Sequence, residues 1–251
     1  MPTKNIQIRP VGDDDYGTVL HPETNTGVVI DKTTGKTIEQ LLNGISNINA
    51  LKETTNYYVD VTNGSDSPEK GGSPKTGAFK TIQYAINQLK KLNVGNITIN
   101  IAAGTYNENV NITGLKVGTI EIKGEGNVNT KIQGINGIDC DSLIVNMLNL
   151  FGPCQVTSCR NLLITNVRSL FTGTGFALKT DNCKGKIYNT TISISGGTAF
   201  SIVNSEVYLE YIYGDGNKVG IESIASTVRK SNFNLTATTP SIVSAGGQVL
   251  G

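Results

Sequence analysis

The sequence predicts an all-β fold, a single-stranded parallel β-solenoid of about seven coils, on three observations. The first is composition. Charged residues are 16% of the 251, against roughly 25% in an ordinary soluble domain. The apolar share is carried by Ile and Val among many Gly, Asn, Thr and Ser residues, and β-branched side chains favour strands. The second is repetition. The hexads LIVNML (143–148), LLITNV (162–167), IYNTTI (187–192), VYLEYI (207–212) and VRKSNF (228–233) begin 19, 25, 20 and 21 residues apart. Each starts with Leu, Ile or Val and ends with Leu, Val, Ile or Phe. The third is a column of small residues. Cys140, Cys159 and Cys183 lie three, three and four residues before their hexads, and Asn204 and Ala225 hold the same place before the next two.

A repeat near 21 residues without intervening helices is the signature of a solenoid, in which each coil pairs its backbone with the next. At about 4.8 Å per coil, residues 96–251 make a stack roughly 35 Å long. Adding 21 to Val228 reaches Val249, and the strands at 119–123 and 97–101 continue the series backwards in steps near 23. A β-sandwich, with turns every 8–12 residues, does not explain the recurring offset.

Residues 1–36 are polar and turn-rich, with the acidic run Asp13-Asp14-Asp15. They bury no core alone and read as an extended arm. In 37–56, a short coiled coil and linker, Ile38, Leu41, Ile45 and Ile48 fall at 3,4,3 spacing. Ile at both a and d positions leans toward three parallel chains; the competing reading is an amphipathic helix packed on its own domain. Residues 57–95 are the lead-in: a strand at YYVDV, a Gly-, Pro- and Ser-rich loop, and a helix over 81–92 with Thr81 as N-cap and Ile82, Ala85, Ile86, Leu89 and Leu92 on one face. This helix is placed to cover the first coil. The other end shows no such device, so the expectation is that the parent protein continues or that another chain covers that edge, an isolated monomer being prone to edge association.

Several function classes are excluded. No run of about 18 apolar residues is present, so membrane insertion is not expected, and residues 1–17 show no signal-peptide pattern. A net charge of +1 without a Lys/Arg block leaves nucleic acid no electrostatic footprint. The single His, His21, lies in the arm, so neither a His-based metal site nor a cofactor is expected. Asp60, Asn63, Ser65 and Asp66 miss the calcium-loop spacing. The cysteines read as small buried residues of a ladder.

The stretch YYVDVTNGSDSPEKGGSPKTGAFKTIQYAINQL with NITINIAAGTYNENVNI resembles the entry to right-handed β-helices of the pectate-lyase-like superfamily, and especially bacteriophage tailspikes and neck or tail appendages. GTVLHPETNTGVVIDKTTGKTIEQLLN is similar to the virion-proximal segment of tail-fibre and appendage proteins in phages of Gram-positive hosts. The resemblance implies a right-handed helix and a homotrimer, assembled in the host cytoplasm. Residues 1–36 would dock it to other virion proteins of the portal, collar, tail or capsid.

Two functions follow as expectations. One is a structural virion appendage that adheres to host-surface glycan. The other is a depolymerase of cell-wall or capsular glycan. Glycoside hydrolysis needs two carboxylates about 5–9.5 Å apart, and the sequence offers Asp139 with Asp141, Glu206 with Glu210, and Glu121 with Glu125. None has an acid at the matching place in the next coil, so no catalytic residue is assigned and an enzyme is not expected. Gly104, Tyr106 and Glu108 match the GxYxE opening of pectin methylesterases. The later Gln/Asp/Asp/Arg set of that family is not found, which points to a shared turn. Tyr188 and Tyr208 share a column at the second hexad position with Arg229 next in line, and Tyr211 and Tyr213 lie nearby. If the first position faces inward these face outward, as a glycan-binding surface or as a trimer interface.

Overall fold

The computed structural model describes residues 54–89, 92, 93, 95–194 and 196–251. The arm at 1–36, with His21, and the seam of Ile38, Leu41, Ile45 and Ile48 lie outside the described residues. From residue 55 onward the chain is a parallel β-solenoid. Thr55–Val59 pairs with Ile97–Ile101, which pairs with Ile120–Gly124, and every further pairing in this sheet is also parallel.

Coils are counted along the inward column Ile97, Ile120, Leu143, Leu162, Gly185, Val207, Val228 and Val249, each paired with the next. Seven coils separate its ends, and their length varies between 19 and 23 residues. Each coil contributes to three faces. Face A holds 97–101, 120–124, 143–146, 162–165, 185–188, 207–210 and 228–231. Face B holds 104–106, 130–132, 149–150, 168–169, 191–192, 213–214 and 234–235. Face C holds 109–113, 134–138, 154–157, 178–181, 200–203, 221–224 and 241–244.

The alternation of each strand fills the interior with Ile99, Ile122, Val145, Ile164, Ile187 and Leu209, all almost fully buried. Two corners recur with a left-handed backbone. One passes through Asp139, Ser158, Asn182, Asn204, Ala225 and Ala245; the other through Met147, Asn166, Asn189, Tyr211 and Asn232. Asn tolerates that conformation best among side chains with a Cβ. In the second corner the amides bond coil to coil: Asn189 Nδ2 donates to Asn166 Oδ1 (2.7 Å) and Asn166 Nδ2 to Asn146 Oδ1 (3.2 Å).

Three expectations are corrected. The hexad register holds at 143, 162, 207 and 228, but Leu162 faces Gly185 and not Ile187. A slip of two leaves the in/out alternation intact, so the hydrophobic pattern does not detect it. A Cβ at Gly185 would lie 2.2 Å from the Leu162 carbonyl oxygen, so the column takes glycine where coils approach closely. The small-residue column runs from Cys140, Cys159 and Cys183 into Ser205 and Ser226, not Asn204 and Ala225, which occupy the corner one residue earlier. Regular helix, α1, spans only Ile82–Asn87. Leu89 N bonds back to Ile86 O, and by Leu92–Asn93 the chain is a strand paired with Lys116–Val117.

Thr81 caps α1 as expected, accepting from Tyr84 N. Ile82, Ala85 and Ile86 are buried against Thr55–Val59, Ile97–Ile101 and Gly104–Thr113, at the N-terminal end of the stack. On the last coil Ile242 and Val243 are exposed, and among the described residues Gln248–Leu250 pairs with 227–229 alone. No helix among the described residues is long and apolar enough to cross a membrane.

Candidate functional site

The outward side chains of face A form the site. Because pairing is parallel and in register, side chains stack in columns about 4.8 Å apart. One outward column reads Thr98, Glu121, Ile144, Leu163, Lys186, Tyr208 and Arg229; the next reads Asn100, Lys123, Asn146, Thr165, Tyr188, Glu210 and Ser231. Tyr188 and Tyr208 therefore do not share a column, correcting the sequence alignment: Tyr188 stacks between Thr165 and Glu210, and Tyr208 between Lys186 and Arg229.

The two rings nonetheless meet on Lys186. Its Nζ stands 4.8 Å from the Tyr188 ring centre and 5.3 Å from that of Tyr208, and 2.5 Å from Glu210 Oε2. The Glu210 carboxylate holds the Lys186 ammonium above its ordinary pKa, against a small opposing effect of burial. Tyr208 Oη and Ser231 Oγ share a 2.7 Å hydrogen bond. Tyr211 stands edge-on to Tyr188 at 5.5 Å, with 38% of its surface exposed. Its φ of +54° costs a bulky residue about 1–2 kcal/mol. Tyr213 does not join them: it pairs with Thr191 and Asn234 on face B.

Beside this cluster runs a groove of about 440 Å³ whose lining includes Ile144, Leu163, Lys184, Lys186, Tyr208 and Arg229. Its lining also includes Leu162, Gly185 and Val207 of the inward column, where glycine lets the coils approach closely. The rim is charged. Lys184 pairs with Glu206 at 3.0 Å, and exposed Arg229 forms no ion pair among the described residues. Sequence reasoning missed Lys186, Ile144 and Leu163, and it named Glu210 as a candidate acid and not as the partner of Lys186. The signal was present: the second position of the first two hexads is Ile or Leu, an apolar residue on an outward face.

The acids are spent on the fold or on neighbouring cations. Glu121 accepts from Asn146 Nδ2 (2.9 Å), and Asp141 pairs with Arg160 (2.5 Å). Glu125 accepts from Ala103 N (2.9 Å), and Asp139 sits in the left-handed corner. Glu206 and Glu210 lie four residues apart on one strand, their Cα atoms about 13 Å apart at the usual rise, and pair with Lys184 and Lys186. In the lead-in loop, Asp60 accepts from Thr62 N, Asn63 N and Asn63 Nδ2. Its burial raises the carboxyl pKa, but these bonds outweigh that and hold it below the ordinary value. Asp66 accepts from Lys80 N, Thr81 N and Thr81 Oγ1.

The pectinesterase family model matches residues 72–215, more than half the chain. The chain belongs to the pectinesterase family. No curated protein and no solved structure matches it. The family match spans the first five coils and the start of the sixth, and so includes most of the groove and its Tyr188–Lys186–Tyr208 cluster.

In this pectinesterase-family chain the GxYxE residues build the fold. A Cβ on Gly104 would lie 2.6 Å from Val61 Cγ1. Tyr106 is buried; its hydroxyl accepts from Val61 N and donates to Ala102 O. Burial pushes that phenol up to about 12. Glu108 accepts from Ile82 N (3.1 Å) and Gln83 N (2.9 Å), the first turn of α1.

Proposed function

We propose that the chain is a glycan-binding β-solenoid that acts by adhesion and does not cleave its ligand. The face A groove supports this: an apolar floor and a rim of Lys186, Tyr208 and Arg229 on a rigid parallel sheet. Concave apolar sites with a few fixed polar groups are how proteins hold small ligands and polymer segments. Membership of a carbohydrate-acting family agrees with a glycan as that ligand. Engagement of the face A acids by Asn146, Lys184 and Lys186 favours binding over hydrolysis.

The wider setting is a virion appendage, docked through residues 1–36 and trimeric through Ile38, Leu41, Ile45 and Ile48. Its support is the N-terminal sequence alone. Light scattering of the full chain tests it, since Ile45→Asp should convert a trimer to monomer and a monomeric parent would sink the idea.

Titration calorimetry with host-wall and uronate oligosaccharides tests the groove. Binding should weaken at least tenfold in Tyr208→Ala and in Arg229→Ala. Unchanged affinity in both variants would move the site elsewhere. Release of methanol or new reducing ends by the parent protein would favour the second reading, a glycan-cleaving enzyme of the same family.

A further inference from the structure

Resting on the reading of face A as a glycan site, we infer that the groove selects sugars carrying an acetyl group, whose methyl lies on Ile144 and Leu163. The floor is aliphatic at the outward side chains of Ile144 and Leu163. A bare sugar ring is covered with hydroxyls, and pressing those on aliphatic carbon strips them of water without return. Aromatic rings are the surfaces that suit sugar C–H faces, and here Tyr208 and Tyr211 stand to one side of the floor. What matches the floor is a methyl group projecting from the ring.

The side chains flanking that floor suit the carbonyl that carries such a methyl. Ser142 and Asn161, in the column beside Ile144 and Leu163, also line the groove. Ser142 Oγ accepts from Thr119 Oγ1 at 3.2 Å, which leaves its own proton to donate. Asn161 is exposed and can supply its amide N–H. Further along, Lys186 and Arg229 supply charge-assisted donors for ring hydroxyls or a carboxylate. Neutral donors thus flank the aliphatic floor within its own two coils, and cationic donors follow it along the coil axis.

An acetamido sugar and an O-acetylated sugar share this chemistry, and the test separates them. Calorimetry on the full chain would compare an N-acetylglucosamine trisaccharide with its deacetylated form, and O-acetylated with de-O-acetylated polygalacturonate. A methyl-esterified polygalacturonate serves as the non-acetyl comparator. At least one acetylated member should bind ten times or more tighter than its partner, the usual worth of a buried methyl in a fitted pocket. Leu163→Asn, at a half-buried outward position, should erase that preference. Equal binding within both pairs, or tighter binding of the methyl ester, would overturn the acetyl assignment while Tyr208-dependent binding kept the glycan site standing. No binding of any of these sugars would overturn both.

Discussion

Glu108 gives the sharpest separation of fold from chemistry. It belongs to a motif shared with carbohydrate esterases, yet its two carboxylate oxygens accept from Ile82 N and Gln83 N at 3.1 and 2.9 Å. Both donors are orphans of the first helical turn. Glu108→Ala leaves them in a partly buried place. Hydrogen bonds to a charged group contribute about 1.5–3 kcal/mol each, and loss of a helix cap costs about 0.5–2 kcal/mol. The two bonds share one side chain, so their loss should cost about 2–3 kcal/mol in total. For a chain of this size that is a fall in Tm of roughly 5–10 °C. Glu108→Gln keeps one acceptor oxygen and should lose about half as much. Solenoids open by neighbouring units, so the loss should appear first as faster hydrogen exchange at Ile82–Asn87, ahead of the distal coils. Thermal melts by circular dichroism and exchange mass spectrometry would measure both. A Glu108→Ala protein with parental Tm and exchange but without carbohydrate function would refute the structural role.

Two buried hydroxyls give an opposite expectation. Ser169 Oγ and Thr180 Oγ1 have no hydrogen-bond partner among the described residues; Ser169 sits between Leu150 and Ile192, and Thr180 between Val156 and Ile202, in inward columns. Ser169→Ala and Thr180→Val should each raise stability by about 1 kcal/mol in urea melts, and a loss in both would show that the hydroxyls are satisfied. The thiols set an alkaline limit. Burial pushes Cys154 up to about 12 and Cys159 up to about 11, whereas unfolded thiols ionise near 8.5. The unfolded chain releases these protons first, so stability is complete below about pH 8.5 and falls as pH rises toward 12. Thiol labelling at pH 8 should be slow until denaturant is added; fast labelling of the native chain, or a flat stability profile from pH 8 to 11, would contradict the burial.

The fold was legible because a solenoid repeats its own environment, and the hexads sample one face of it several times. What escaped was phase. Ile187 and Gly185 differ by two residues, the one error to which a period-two pattern is blind. That error put Tyr188 and Tyr208 in one column. Tyr208 and Arg229 were correctly stacked because the step between their coils is a regular 21 residues. Lys186 escaped because its position is defined by two rings from different columns, a relation that follows only from the true register. The shortened helix reflects a tertiary demand: the chain must be extended by Leu92 to pair with Lys116.

The two left-handed corners have a consequence for how such a protein changes. From Asp139 to Met147 and from Ser158 to Asn166 is eight residues; from Asn182 to Asn189, Asn204 to Tyr211 and Ala225 to Asn232 it is seven. The return path around faces B and C runs from 11 residues (Met147 to Ser158) to 16 (Asn166 to Asn182). Variation in coil length is therefore confined almost wholly to the back of the molecule, while the front keeps a fixed pitch. Residues added at the turn around Phe171–Gly175 would lengthen a loop without displacing a single groove contact. Whole coils could be added or removed to change the length of face A. Face A is a ruler with constant divisions, and its back is free to vary.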